Sequence, residues 1–253
     1  VWSHHHGDTS VVGLAPSAVA ARVLGNELDI ETDNVSKWLY ESVGDGAAAR
    51  LQRIQRLSNV LHTMEQNPST DPASYERVAA TLSEQYAAQA KYQLRENQLL
   101  VIDEASMVST GQLAELTHQA NQVGAKVLLV GDSAQLGSVD AGGFLGWMDR
   151  SQHATRLNSV WRFKNDWEGA ASLGLREGDV TVLDEYDQHG RIVDAGDDAA
   201  DAAYRAWLDD TQQDTSSILV AADNAMVNEL NVRAQHDLAN AGRIDLNSTV
   251  ELR

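Results

Sequence analysis

The chain has 253 residues, contains no cysteine and carries a formal net charge of −18 at pH 7, from 37 acidic and 19 basic side chains. The absence of cysteine excludes disulfides and thiolate metal sites and fits a reducing cytoplasm. The excess of acid excludes a surface that coats nucleic acid broadly, because phosphate binding depends largely on Lys and Arg. No apolar run approaches the roughly 18 residues that span a bilayer, so we expect a cytoplasmic protein with no membrane partner.

The pattern of apolar and capping residues in the first third of the chain predicts one strand, two helices and a helical hairpin. The apolar run 10–14 is typical of a buried strand, and Ser17 is a suitable N-cap for the helix that follows. Asn34 can cap the next helix in the same way. Apolar residues then recur at helical spacing through 46–91, with a polar break at 67–72 and no strand pattern. This indicates a helical hairpin inserted between two core strands.

The remaining residues return to alternating strands and helices. Predicted strands lie at 99–102, 126–130, 155–157, 217–221 and 249–252, and predicted helices at 111–122, 165–176 and 224–240. Such alternation predicts a parallel sheet with right-handed crossovers, and the uninterrupted apolar runs suit strands that are covered on both faces. The segment 177–214 is strongly acidic, which is typical of a solvated face.

Two neighbouring strands of this sheet end in polar clusters. Asp103 and Glu104 directly follow one strand, and Asp132 and Gln135 follow the next. Asp103 suits Mg²⁺ binding through water, since this cation prefers oxygen ligands and retains several waters. Glu104 can orient water, Gln135 can contact a γ-phosphate, and Asp132 can hold its loop through backbone N–H groups. Each cluster alone could simply cap a helix, but both in this order favour a nucleoside triphosphate site.

Two further features concern that site. Arg162 lies between Trp161 and Phe163, where it either forms a structural cation–π pair or presents a planar, permanently charged guanidinium to the γ-phosphate. The glycine-rich loop G-x-x-x-x-G-K-[ST], which binds the phosphates in many such proteins, occurs nowhere in the chain. We therefore expect this loop and its strand to precede residue 1.

Taken in order, the motifs resemble those of superfamily 1 DNA helicases of the RecD-like type, in particular the helicase part of MobF/TraA-type conjugative relaxases. Residues 12–18 resemble motif Ia, and residues 101–106 resemble motif II, the Walker B motif. Residues 131–136, together with 139–143, resemble motif III. Residues 221–224, together with 228–231, resemble the opening of a second RecA-like domain. Arg162 falls at the position of the motif IV arginine. The resemblance covers nearly the whole chain.

The resemblance implies an α/β fold: a RecA-like P-loop NTPase parallel sheet with a helical hairpin insertion, without the P-loop strand, followed by the start of a second RecA-like domain. It implies that the complete protein uses ATP and Mg²⁺, and that these 253 residues alone bind neither. The predicted boundaries are 1–41 and 92–176 for the first motor domain, 42–91 for the hairpin insertion, 177–214 for an acidic connector and 215–253 for the second domain.

The implied function is ATP-dependent translocation on single-stranded DNA, as part of a conjugative relaxase. Asp103, Glu104, Gln135 and Arg162 would then act on the nucleotide. The resemblance places the DNA against Ala15, Pro16, Ser17 and Ser36. Other expected partners are the P-loop and second-domain segments of the same protein.

Two alternatives remain open. The chain could be an ATPase-dead DNA-binding or protein-docking module with the hairpin as its working surface, or part of a RecD-like helicase unrelated to conjugation. A phosphate-loop motif encoded upstream would favour the motor over the module. A relaxase domain encoded upstream would favour the conjugative protein.

Overall fold

The structure is a computed structural model that describes residues 1–135, 137–138, 140–157 and 163–245. The chain divides into two compact units, Val1–Ser159 and Val160–Arg253, called here the first and the second unit. No helix among the described residues combines the length and the apolar character needed to cross a bilayer.

The first unit is built on a parallel sheet of four strands. They are β1 (Val11–Ala15), β2 (Glu31–Asn34), β3 (Leu99–Ile102) and β4 (Lys126–Leu129), in the spatial order β2-β1-β3-β4. All neighbouring pairs are parallel, so the strands end at the same side of the sheet, called here the carboxyl edge. The parallel α/β fold expected from the alternating pattern is confirmed.

Helices connect the strands and cover the sheet. In the first unit they are α1 (Trp2–His6), α2 (Ala18–Leu28), α3 (Val35–Ser42), α4 (Asp45–Glu65), α5 (Pro72–Lys91), α6 (Thr110–Val123) and α7 (Phe144–Arg150). In the second unit they are α8 (Asp166–Glu177), α9 (Leu183–Gln188), α10 (Ala199–Gln212) and α11 (Asn224–Asn240). Right-handed crossovers place α2 on one face of the sheet and α3 and α6 on the other, where these two helices contact each other.

The main core lies between the sheet and the pair α3 and α6. Leu14, Leu100 and Ile102 of the two central strands are fully buried, and Trp38 and Leu116 pack against them from the helices. Burying an aliphatic or aromatic side chain of this size contributes about 1.5–3 kcal/mol each. The core therefore holds the strand ends, and the loops that follow them, in fixed positions at the carboxyl edge.

β4 forms one border of the sheet. Among the described residues, no strand pairs with its outer side. Leu128 and Val130 lie on the face of β4 opposite Val127 and Leu129, which pack against the core, and they are 47% and 39% exposed. β3 in the sheet interior is almost entirely buried. The apolar run 126–130 predicts a strand that is covered on both faces, and in the described chain only the face of Val127 and Leu129 packs against the core.

α4 and α5 form the predicted helical hairpin and pack against each other. α5 has no buried residue, and α4 buries Gly46, Arg50 and Ile54. Arg50 is 8% exposed. The Arg50 guanidinium donates to the backbone oxygen of Glu41 at 2.9 Å and forms an ion pair with the Glu41 carboxylate. It also lies 5.5 Å from the ring centroid of Tyr92. One buried cation thus joins the insertion to α3 and to the segment that leads into β3.

Two of the predicted strands are wrong. Residues 155–157 and 217–221 have no ladder in the described chain, and Leu157 and Ile218 are 90% and 88% exposed. A strand is stable only when it pairs with another strand and buries one face, and neither segment pairs with any residue that the structure describes. The predicted strand 249–252 lies outside the described residues.

The described part of the second unit is helical. α10 lies inside the acidic segment 177–214, for which the sequence predicts no helix. Tyr204 of α10 is fully buried, and its hydroxyl donates to Asp237 Oδ2 of α11 at 2.7 Å. Burial, reinforced by this bond, raises the pKa of Tyr204 to about 12. Arg233 lies 3.9 Å from the Tyr204 ring centroid and forms an ion pair with Asp201 of α10 at 2.7 Å, so four side chains join α10 to α11.

Candidate functional site

Asp103 and Glu104 form a turn at the carboxyl end of β3, called here the acidic turn. The Asp103 backbone nitrogen donates to Leu14 O at 2.9 Å, which holds the turn beside the end of β1. Asp103 Oδ1 accepts a hydrogen bond from Glu104 N at 3.0 Å. Both side chains are partly exposed. The sheet therefore presents two adjacent carboxylates to solvent, at the edge where ligands bind in parallel α/β proteins.

Glu104 has a left-handed backbone conformation, with φ 49° and ψ 40°. Residues with a side chain adopt this conformation at a cost of about 1–2 kcal/mol, because Cβ approaches the carbonyl oxygen. Strain of this kind persists where the surrounding structure imposes it, and it is concentrated at functional sites. The strained residue here is one of the two sequence-predicted catalytic carboxylates.

The loop 131–135, which follows β4, lies against the acidic turn. Val130 N donates to Ile102 O at 2.8 Å and Ala105 N donates to Val130 O at 2.9 Å, so the two strand ends are bonded in both directions. Asp132 accepts from Ala134 N at 2.9 Å and from the Gln135 side-chain amide at 3.3 Å. Gln135 itself is exposed. The amide and the acidic turn are therefore carried by bonded segments at one edge of the sheet.

Gly131 permits the close contact between these two segments. A Cβ atom at this position would lie 2.9 Å from the backbone nitrogen of Ala105 and 3.0 Å from Leu145 Cδ2. We expect Gly131→Ala to lower the free energy of unfolding by about 1–3 kcal/mol, because backbone atoms cannot move aside as a flexible side chain does. Urea denaturation measures this change.

The matched control is Gly137→Ala, a few residues further along the chain. Apart from Gly137 itself and its two chain neighbours, no atom of the described residues lies within 4 Å of the position that its Cβ would take. This variant should be neutral or stabilised by roughly 0.4–1 kcal/mol, through the reduced entropy of the unfolded chain. Equal destabilisation by both substitutions would contradict the role assigned to Gly131.

The predicted DNA-contacting residues occupy different environments at the carboxyl edge. Ala15 is fully buried, so its side chain does not reach the surface, whereas Ser17 and Ser36 are exposed and Pro16 is half-buried. Ser17 Oγ accepts from Ala20 N at 3.1 Å and so caps α2, as predicted from the sequence. Its hydroxyl proton can still be donated to a phosphate.

Three helices begin at this edge. Ser17, Asn34 and Ser109 are the N-caps of α2, α3 and α6, and each accepts a backbone N–H with its side chain. Ser36 in the first turn of α3 is bonded to Gln112 of α6 at 3.4 Å. Helix N-termini carry partial positive charge and exposed N–H groups, so this arrangement favours an anion at the edge even in an acidic chain.

Lys37 adds a full positive charge beside Ser36. Its ammonium lies 2.9 Å from Asp33 Oδ2 and its side chain is 51% exposed. The hydrogen bond with Asp33 raises the pKa of Lys37, so the side chain stays protonated at physiological pH. The sequence analysis did not select Lys37, although it follows Ser36 directly.

The fourth predicted catalytic residue, Arg162, lies outside the described residues, as do Leu136 and Val139 of the motif III region. The structure brings Asp103, Glu104 and the loop of Gln135 together at one edge and leaves the position of Arg162 a prediction.

Ser133, Asp149 and Arg156 form a bonded cluster that the sequence analysis missed. Ser133 Oγ donates to Asp149 Oδ2 at 3.0 Å, and Arg156 binds both oxygens of the same carboxylate at 2.7 and 3.0 Å. The cluster joins the loop 131–135 to α7 and to the segment before Arg162. Nothing in the spacing of these residues predicts their contact.

A divalent cation at the acidic turn would depend on few protein ligands. The residues that the structure describes contain no group of three or more His, Asp or Glu side chains placed to hold a metal ion. Mg²⁺ at phosphate-transfer sites is commonly held by one or two carboxylates together with substrate phosphates and water. The donor set of Asp103 and Glu104 fits that mode of binding.

Residues 1–197 match the model of a protein family described as an AAA domain. Three curated proteins are similar to the chain over about 60% of its length. One is a probable conjugal transfer protein TraA of Sinorhizobium fredii, which is 32% identical over 161 residues. The others are conjugal transfer proteins TraA. That of Agrobacterium fabrum is 34% identical over 150 residues, and that of Rhizobium radiobacter is 32% identical over 157 residues. The matches cover 62%, 57% and 60% of this chain but only 14%, 13% and 14% of those proteins.

Proposed function

Because the chain belongs to the AAA domain family whose model matches residues 1–197, we propose that it is part of an ATP-dependent motor that translocates on single-stranded DNA. The TraA names of its relatives support a place in a conjugative relaxase that transfers plasmid DNA. Since the aligned regions are about one seventh of those proteins, we assign no relaxase chemistry to these residues.

The observation that carries the proposal is the contact between the acidic turn and the loop 131–135. Nucleotide hydrolysis requires a cation ligand and a group that orients water next to a group that detects the γ-phosphate. Asp103, Glu104 and Gln135 supply these chemical types from the ends of two bonded strands.

Each residue has a distinct proposed role. Asp103 would hold Mg²⁺ through water, and its own bond to Glu104 N keeps the carboxylate in place. Glu104 would accept a proton from, and so orient, the attacking water. Gln135 would donate to the γ-phosphate, and Arg162 would offset the charge on it. Mg²⁺, when bound with ATP, supplies positive charge against the phosphates.

The DNA would lie along the N-termini of α2 and α3. Ser17 and Ser36 offer hydroxyl groups, Lys37 offers an ammonium group, and the helix ends offer N–H groups. These groups recognise phosphates and no particular base, so they suit a protein that moves along DNA regardless of sequence.

The test compares these 253 residues with a longer version of the protein that includes a G-x-x-x-x-G-K-[ST] loop. We expect negligible ATP hydrolysis by the 253 residues alone, because the backbone N–H groups of such a loop neutralise the phosphates. The longer version should hydrolyse ATP and do so faster with single-stranded DNA. A longer version that is equally inactive with and without DNA would contradict the motor.

A second candidate is an ATPase-dead docking module that uses the hairpin. It is favoured by the exposure of apolar side chains there: Leu51 and Tyr86 are each 52% exposed and Val60 is 45% exposed. DNA or protein binding by the 253 residues, combined with an inactive longer version, would support this function. A helicase outside conjugation would share the motor chemistry and lack an attached relaxase domain.

A further inference from the structure

Three aromatic rings stack on the surface of the first unit next to the candidate site. The ring centroids of Phe144 and Trp147 are 5.7 Å apart with an interplanar angle of 24°, and those of Trp147 and His153 are 5.7 Å apart at 11°. We call these three residues the ring stack. The centroid distance is wider than direct face-to-face contact, so the rings are offset and leave parts of their faces uncovered.

The ring stack is exposed although it is aromatic. Trp147 is 51% exposed and Phe144 is 38% exposed, and His153 is also exposed. Buried aromatic side chains contribute strongly to a core, so an ordered cluster left at the surface commonly marks a binding site.

The ring stack is held in place by the cluster described above. Asp149, two residues after Trp147, accepts from Ser133 of the loop 131–135. Arg156 binds the same carboxylate, and His153 N donates to Met148 O at 2.8 Å. The rings are therefore positioned by hydrogen bonds to the loop that carries Gln135.

One cation beside the ring stack is available to a phosphate. The segment 144–157 contains two arginines and a single acid, and Arg156 is paired with that acid, Asp149. Arg150 is exposed and has no ion-pair partner in the part of the chain that the structure describes. A phosphate at the ring stack would therefore meet Arg150.

We propose that the ring stack binds the bases of single-stranded DNA by stacking, while phosphates lie near Arg150. Every base has a flat π face, so stacking binds single strands with little dependence on sequence. Double-stranded DNA would not bind in this way, because its bases are already stacked within the helix. The proposal rests on the proposed function and assigns it a further contact site, tied through Asp149 to the loop 131–135.

The experiment measures binding of the 253-residue chain to a fluorescein-labelled oligothymidylate of 12 nucleotides by fluorescence anisotropy. Trp147→Ala should weaken binding roughly tenfold or more, in line with measured losses of base stacking. Trp147→Phe, which retains a ring, should keep most of the affinity, and circular dichroism verifies the fold of each variant. The matched control is Trp167→Ala, which removes another tryptophan stacked on a histidine, His189, in the second unit.

An abasic oligomer of the same length separates bases from phosphates. The unaltered chain should bind it more weakly than oligothymidylate, and Trp147→Ala should make this difference smaller, because only Phe144 and His153 then remain for stacking. If Trp147→Ala binds oligothymidylate as tightly as the unaltered chain does, the ring stack is not the site, although DNA binding stands. If the unaltered chain binds no DNA, both the ring stack and the DNA-binding part of the proposed function fail. A change in self-association without a change in DNA affinity would assign the ring stack to a protein contact and overturn the proposal.

Discussion

Glu104→Gln in the longer protein is expected to reduce ATP turnover by about 100-fold or more while ATP still binds. The amide has nearly the size of the carboxylate but cannot accept a proton from water, and losing a general base typically costs about 10²–10⁴-fold in rate. Asp103 is unchanged, so the proposed Mg²⁺ ligand is retained. The measurements are steady-state ATPase assays with single-stranded DNA and, separately, nucleotide binding by calorimetry.

The control for this variant lies at the other end of the same strand. Glu96 is exposed and precedes β3, on the side of the sheet opposite the carboxyl edge. Glu96→Gln removes the same charge and should leave turnover within about twofold of the unaltered enzyme, since exposed charges are screened by solvent and salt. If Glu104→Gln turns over ATP at the normal rate, Glu104 is not the water-orienting residue.

Arg50→Met is expected to lower the free energy of unfolding by about 2–3 kcal/mol. The methionine side chain fills much of the volume, but the Glu41 carboxylate and backbone oxygen lose their charged partner in a largely buried place. Removing one member of a buried pair leaves an uncompensated charge and costs several kcal/mol, reduced here because Glu41 is 25% exposed. Urea denaturation followed by circular dichroism reports the change.

Arg53→Met on the exposed surface of the same helix is the comparison for that substitution. It removes the same charge without breaking a described ion pair, so its effect should stay within about 0.5 kcal/mol. Equal effects of the two substitutions would show that the Arg50 contacts do not attach the hairpin to the core.

Much of the first unit could be predicted from local patterns. Apolar runs locate β1, β3 and β4, because each of these strands packs apolar side chains against the core. Ser17 and Asn34 mark the starts of α2 and α3 because capping is a local bond that reaches three residues along the chain. The acidic turn can be predicted in the same way, because Asp103 and Glu104 directly follow the apolar run of β3.

Other elements depend on contacts that local patterns do not contain. β2 consists of Glu31, Thr32, Asp33 and Asn34, and it is a strand only because β1 pairs with it. The run 217–221 shows the reverse case, an apolar segment that has no strand partner among the described residues. α10 forms in an acidic stretch because the buried Tyr204 joins it to α11.

Some features of the candidate site can be predicted from the sequence, and others depend on contacts between distant residues. Asp103, Glu104 and Gln135 can be selected by residue type and order alone. The contact of Gly131 with Ala105, the bond from Ser133 to Asp149 and the stacking of the aromatic rings are known only from the three-dimensional arrangement.

The outer side of β4, which pairs with no described strand, determines where an added strand would end. No strand of the described residues pairs with the N–H and C=O groups on that side, so these groups can accept an added strand, and Leu128 and Val130 offer an apolar surface to it. A segment that joined there in parallel would end alongside Gly131, so the residues after it would emerge facing the carboxylates of Asp103 and Glu104. The outer side of β4, which can pair with an added strand, is therefore also the side from which a phosphate-binding loop could reach Asp103 and Glu104.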